Sequence, residues 1–166
     1  MKGKVLLIAG LVLLAGCEKE DKGPWGGPFG TKKGLTEDQI SAFAKLEVEA
    51  ENKDSGQTTY ISPQAPDMSS EASSYRYVLG KTSGLCMVTA SIDDVRGSNS
   101  KLADDLTKKY GKPVKDQSAD WGVVWSSDRF KLDNDLKAIR ITFFGHEPRI
   151  NALVQAVYVN SGSECK

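Results

Sequence analysis

The first seventeen residues constrain this chain more than any other stretch, because they fix the compartment in which the rest has to fold. Lys2 and Lys4 give a basic start, an apolar run follows from Val5 to Ala15, and Gly16 and Cys17 close the segment. A charged start, a short apolar middle and a small-residue end make a secretory signal peptide. Eleven residues at about 1.5 Å each give roughly 16 Å of helix, about half of a ~30 Å hydrocarbon core, so the run is too short for a permanent span. With residues 1–16 set aside, 150 of the 166 residues remain. That is one domain's worth of chain, enough to bury a core of its own.

The junction Leu14-Ala15-Gly16-Cys17 resembles the bacterial lipobox, in which the cysteine thiol receives a diacylglyceryl group and cleavage then exposes its amine to acylation. The resemblance implies lipidation of Cys17 with fatty acids such as palmitate. Buried acyl CH₂ groups contribute about 0.8 kcal/mol each, so two or three chains on one cysteine anchor a protein stably. In diderm bacteria an Asp after that cysteine commonly retains a lipoprotein in the inner membrane. Glu18 therefore implies the outer membrane, facing the periplasm. Residues 18–34 contain five Gly and two Pro, which predicts a flexible tether over 17–34 and a single domain over 35–166. Trp25 and Phe29 stand out there, because a solvated linker gains nothing from two large aromatics; they dock on the domain or sit at the membrane interface.

Composition narrows the class further. The chain is 39% apolar and 27% charged, which excludes wholesale disorder and a multi-spanning membrane protein. Without Lys2 and Lys4 it carries 20 basic residues against 22 acidic ones. A balance that close to neutral gives no basis for nucleic acid as a partner.

Within the domain, Thr36-Glu37-Asp38-Gln39 reads as a capping box. Ile40, Phe43 and Leu46 follow at spacings of three, predicting a short helix over 36–46. The polar stretch 47–74, with Pro63 and Pro66, reads mostly as loop with a short strand at 58–61. Tyr75, Tyr77 and Leu79 alternate with other residues, and Thr82-Ser83-Gly84 turns the chain into Leu85–Ile92, which is a hairpin. Leu102, Leu106 and Tyr110 recur every four residues before Gly111 and Pro113, a helix over 98–110 with its stop signal. Three β-prone runs end the chain, at 121–126, 139–143 and 153–159. The expected fold is α+β, an antiparallel sheet of four to six strands with two short helices packed on one face. No internal repeat is visible.

With Cys17 acylated, Cys86 and Cys165 remain, and an even pair in an oxidising compartment predicts a disulfide. Closing a loop of about 80 residues contributes roughly 4 kcal/mol in the chain-entropy model.

Catalytic and metal-binding patterns are sparse. His146 is the sole histidine, so no HExxH or second imidazole exists, and Phe144-Gly145-His146-Glu147-Pro148 reads as an exposed strand-to-strand turn. Lys81-Thr82-Ser83 places a Lys and a Ser two apart, as in Ser-Lys hydrolases, but also puts polar residues where a hairpin turn wants them. Asp93-Asp94 and Asp104-Asp105 read as solvated pairs. Asp133-Asn134-Asp135 has the opening of a calcium loop without the Gly and closing Glu that complete one. Trp121 and Trp125 fall four apart, on one face of a strand. If that face is core they pack there; if it meets solvent they form a binding surface. The sequence thus calls for no catalytic residue, no metal and no cofactor.

The segment Phe29-Gly30 with Gly34-Leu35-Thr36-Glu37-Asp38-Gln39-Ile40 resembles the opening of small secreted bacterial domains: the outer-membrane assembly lipoproteins of the small-protein-A type and the β-lactamase inhibitory proteins. That resemblance implies short helices on an antiparallel sheet, and action by binding other proteins. A longer resemblance, to an uncharacterised family of secreted or lipidated bacterial proteins, runs over residues 29–165. Tyr75 to Leu79, Gly84-Leu85-Cys86-Met87-Val88, Lys109-Tyr110-Gly111-Lys112-Pro113, Trp121 or Trp125, and Cys165 carry it. It implies the same fold and disulfide and carries no assigned activity, so it leaves function open.

The expectation is a membrane-anchored envelope lipoprotein whose domain is a non-enzymatic protein-binding module. The alternative is a small-ligand or cell-wall-glycan module built on Trp121 and Trp125, and behind both stands a hydrolase using His146. Replacing Cys17 by Ser is expected to abolish incorporation of radiolabelled palmitate and to release the protein from the membrane pellet after cell fractionation.

Overall fold

The computed structural model describes residues 22–93, 95, 101–146, 149–159 and 163–165. The signal peptide and Cys17 lie outside them, as do Asp94, Glu147 and Pro148. Two helices, α1 (Glu37–Ser41) and α2 (Lys101–Tyr110), accompany eight strands. The strands are β1 (Glu47–Asn52), β2 (Gln57–Ser62), β3 (Ala72–Gly80), β4 (Gly84–Ile92), β5 (Val114–Lys115), β6 (Gly122–Ser126), β7 (Leu136–His146) and β8 (Arg149–Tyr158). They form one antiparallel sheet in the order β1-β2-β3-β4-β8-β7-β6-β5. The α+β expectation holds, but the sheet has eight strands where four to six were expected.

The order of the strands reveals a repeat that the residues hide. Each half is a helix followed by a four-stranded meander, α1 with β1–β4 and α2 with β5–β8, and the halves join where β4 pairs antiparallel with β8. An alternating strand pattern can be met by many residue choices, so the halves share topology without sharing sequence.

The strands missed from sequence are those that pairing, not burial, holds in place. All six residues of β1, Glu-Val-Glu-Ala-Glu-Asn, are exposed, so no apolar alternation marks it. Its glutamates suit an edge, where like charge discourages a second sheet from pairing. β5 is only two residues long, paired to β6 through Val114 and Val124. Helix α1 is shorter than the expected 36–46. Its capping box is present, with Gln39 N donating to Thr36 Oγ1 (3.3 Å) and Thr36 N donating to Gln39 Oε1 (3.0 Å). The helix ends at Ser41, and the chain turns so that Leu46 packs against the core and β1 begins at once. Residues 98–100 of the expected second helix lie outside the described residues; from Lys101 onward α2 is helical, and the Glu71 carboxylate accepts the amides of Lys101 (3.1 Å) and Leu102 (2.8 Å), an anion toward the positive end of the helix dipole. It stops, as its sequence predicts, at Gly111, which adopts φ +88°.

One face of the sheet carries the core. Tyr75, Tyr77, Val88, Ala90, Ala156, Val154, Ile139, Ile141 and Trp125 alternate inward along five strands and are almost fully buried. Ile40 of α1 and Leu106 of α2 complete the layer.

The expected tether does not extend to residue 34. From Trp25 onward the segment belongs to this core: Trp25 meets Phe43 edge-on at 5.7 Å and Phe29 meets Tyr75 at 5.4 Å. Thr31 Oγ1 and Tyr158 Oη share a buried hydrogen bond of 2.6 Å, and Asp67 N donates to the Phe29 carbonyl. Glycine and proline serve here as turn residues of a packed segment. Gly30, at φ +69°, lies so close to Asp67 that a Cβ would sit 2.7 Å from the Asp67 nitrogen. Gly34 and Leu35 bracket β4, with Gly34 N donating to Leu85 O and Leu85 N to Leu35 O.

Phe29→Ala is therefore expected to lower stability by about 3 to 5 kcal/mol in urea unfolding. A substitution in a true tether would stay within about 0.5 kcal/mol.

Candidate interaction surface

Both helices and the Trp25–Leu35 segment pack on the core face, and among the described residues no element lies over the centre of the opposite one. Strand register orders that open face into rows. Val78, Met87, Val157 and Ala138 lie across β3, β4, β8 and β7 as an apolar row. The next row reads Ile61, Arg76, Thr89, Gln155, Arg140 and Val124 from β2 to β6. The pair Thr89–Gln155 stands at its centre with one arginine on each side.

Each arginine is clamped by an acid from its own edge of the sheet. Arg76 forms a bidentate pair with Glu49 of β1, Nη2 to Oε1 at 2.6 Å and Nε to Oε2; the hydrogen bond lowers the Glu49 pKa and raises that of Arg76. Arg140 Nε lies 3.3 Å from Asp116 Oδ2. Asp116 is buried at 5% exposure, and its Oδ1 accepts from Ser118 N (2.9 Å) and Ser118 Oγ (2.7 Å). Those bonds, the Ser118 hydroxyl first, with the Arg140 charge, hold its carboxyl below the usual range. Asp116 is on the turn that leads into β6, which folds against the open face at Gly122, where a Cβ would meet the Asp116 and Ala119 side chains.

The two tryptophans part company. Trp125 lies in β6 opposite Ile139, is 1% exposed and donates from Nε1 to the Gly111 carbonyl at 2.7 Å, so it is core. Trp121 precedes β6 and is 50% exposed; its carbonyl accepts the Phe143 amide and its indole leans on the Phe143 ring, centroids 5.2 Å apart and planes at 37°. They share a face by spacing, but the core ends before Trp121. Phe144, 44% exposed, follows Phe143 on β7 and faces the opposite side of the sheet. Between Trp121 and the Asp116–Arg140 pair lies a hollow of about 500 Å³ that Thr142 and Gln155 also line.

A second hollow, of about 590 Å³, opens beside α1 and the turns of β1–β3, lined by Glu37, Glu51, Lys53, Gln57, Tyr60 and Lys81. The Tyr60 hydroxyl donates to Glu37 Oε2 at 2.5 Å; burial, then that carboxylate, pushes its pKa up to about 12, so it stays protonated.

At the far end of the open face Cys165 meets Cys86 as expected, with Cα atoms 5.5 Å apart. Beside the disulfide, Glu164 sits in the turn between β3 and β4, where its Oε2 accepts from Thr82 N (2.9 Å), Ser83 N (3.0 Å) and Ser83 Oγ (2.7 Å). Lys81-Thr82-Ser83 is thus a hairpin turn whose donors hold the chain end. Asp133 accepts from Tyr110 Oη (2.5 Å) and pairs with Lys109 Nζ (2.8 Å), docking the end of α2. Asn134 and Asp135 take positive φ of 53° and 56°. The triplet is a structural turn, and among the described residues no group of three His, Cys, Asp or Glu side chains is placed to hold a metal. His146 ends β7 opposite Arg149; its side chain lies outside the described residues.

Sequence reasoning missed Arg76, Arg140, Asp116, Phe143 and Gln155. The signal available was weak: Arg140 and Gln155 interrupt the apolar residues of β7 and β8 as several other polar residues do, and their neighbours come from other parts of the chain.

The Ser83 hydroxyl and the Thr82 and Ser83 amides favour the charged form of Glu164 and hold its carboxyl at about 2, from an ordinary 4.5. The contact is therefore complete above pH 4.5 and is lost as pH falls through about 2. The Glu164 carboxyl carbon, followed by NMR, is expected to titrate near 2, and Glu164→Gln to speed amide exchange at Thr82 and Ser83 at neutral pH. Comparison of this chain with protein-family models, with curated proteins and with solved structures finds no match.

Proposed function

We propose that this chain is a bacterial envelope lipoprotein, anchored by acyl chains on Cys17, whose domain binds another protein without catalysis, in assembly, inhibition or exclusion of a competitor. The observation that carries the reading is the open sheet face. Its apolar row, Val78, Met87 and Val157, is only partly buried within the chain. It is flanked by the arginine row, and Phe144 stands exposed on the same face. An apolar strip with a polar, aromatic and arginine-containing border is the composition of a protein-binding patch. Both arginines are held in fixed geometry by carboxylates, so a partner does not have to order them. The opening that resembles assembly lipoproteins and inhibitory domains points the same way. The protein needs no cofactor in this reading, and in a diderm organism it works at the outer membrane, facing the periplasm.

In-cell crosslinking of the lipidated, tagged protein, with a control carrying residues 1–21 and the tag, tests the proposal. A protein recovered with the full chain, absent from the control and reduced at least about tenfold by Met87→Glu, is expected, since a charge at the centre of a patch removes a hot spot. The variant's thermal unfolding should match that of the parent. Recovery of the same proteins with the control, or insensitivity to Met87→Glu, would overturn it.

A further inference from the structure

Little chain lies between the expected lipid anchor and the folded body. Residues 18–21 alone separate Cys17 from Lys22, the first described residue, and Trp25 is already core. The five residue steps from Cys17 to Lys22 span at most about 18 Å when fully extended. The place where that short link leaves the body therefore decides which side of the domain can meet a bilayer.

That place lies over the middle of the covered face. Residues 23–31 fill the space between the two helical parts. Trp25 meets Phe43, just past α1, and a Cβ on Gly26 would lie 3.9 Å from Asn134 Nδ2, in the turn that docks the end of α2. Beneath them Phe29 meets Tyr75 of β3 edge-on and Thr31 bonds to Tyr158 of β8, the two strands that flank β4 near the centre of the sheet. Gly23 lies against the Trp25 indole, where a Cβ would sit 2.8 Å from its Cε3, and Lys32 Nζ is 5.7 Å from the centre of a Trp25 ring. Exposed Lys22 and half-buried Lys32 and Lys33 thus gather where the link departs.

Eight strands at about 4.8 Å make a sheet roughly 34 Å wide, and the layer that covers it adds about 10 Å. A link from the middle of the covered face would need about 27 Å to pass round an edge to the other side. It is too short for that. We infer that this short reach holds the covered face, with Lys22, Lys32 and Lys33, on the phospholipid headgroups and turns the open sheet face away from the bilayer. Ammonium groups at the exit point suit the headgroup phosphates. The inference rests on the lipoprotein reading and adds the class of partner: a water-exposed protein domain that meets the Val78–Met87–Val157 row from the side opposite the membrane, not a segment within the bilayer.

NMR of the mature lipidated protein tests it, in nanodiscs of phosphatidylethanolamine and phosphatidylglycerol with and without a gadolinium-chelate headgroup lipid. The gadolinium is expected to erase the amide signals of Lys22, Lys32 and Lys33 and to leave the methyl signals of Val78, Met87 and Val157. Inserting about twenty Gly and Ser residues after Asp21, a coil long enough to reach round the sheet, should restore the lysine amides while the protein stays on the nanodisc. Loss of the open-face methyls in the parent, survival of its lysine amides, or the same selective loss after the insertion would overturn the inference. The intact mass separates this failure from that of the reading beneath it. A Cys17 without acyl chains would overturn the lipoprotein reading and the inference together, whereas acylated protein giving any of those results overturns the inference alone.

Discussion

The pairing of β4 with β8, from Met87–Val157 to Ile92–Ala152, is the contact on which the rest of the molecule depends. It joins two helix-plus-meander halves into one sheet, and without it each half would expose a long strand, β4 or β8, as an edge. Its core-side residues, Val88, Ala90, Val154 and Ala156, are small or β-branched and almost fully buried. They leave room beneath the centre of the sheet for α1, α2 and the Trp25–Leu35 segment to share a single apolar layer. Because β4 and β8 are central, the sheet's outer edges fall on β1 and β5, one lined with glutamates and the other two residues long. Both are forms that resist further pairing.

The same pairing fixes the other face. It sets Arg76 and Arg140 in one row on either side of Thr89 and Gln155, each answered by an acid from its own half. A chain whose covering elements all lie on one side keeps a broad, ordered surface on the other. That surface is shaped by strand register, with its arginines held by Glu49 and Asp116. The disulfide and Glu164 fasten the chain terminus at one end of this face and the turn at Asp116 borders the opposite corner, so the surface has defined limits.

Much of the sheet was legible in the residues because burial writes a period of two. Tyr75, Tyr77 and Leu79 announced β3, and Ile139 and Ile141 announced β7. The helix stop at Gly111 and the capping box at Thr36 were equally plain, since each is a local rule about backbone donors and positive φ. The strand β1 was illegible for the converse reason: it buries nothing, so only its hydrogen bonds to β2 mark it. The glycines and prolines around Trp25 and Phe29 suggest a tether while the two aromatics suggest docking on the domain, and the aromatics prevail: the same glycines and prolines form tight turns once those side chains have a core to enter. Trp121 and Trp125 show the limit of periodicity, which places two residues on one face without saying where the core stops.

The sequence alone determined the α+β class and the pairing of Cys86 with Cys165, because each depends on short-range pattern or simple counting. Only the tertiary structure decided that the sheet has eight strands in two equivalent halves, that one of its faces stays open, and that Trp125 is buried while Trp121 is half exposed. The first two depend on which strands become neighbours, and strand neighbours are chosen by the burial of the whole apolar layer rather than by any residue's local preference.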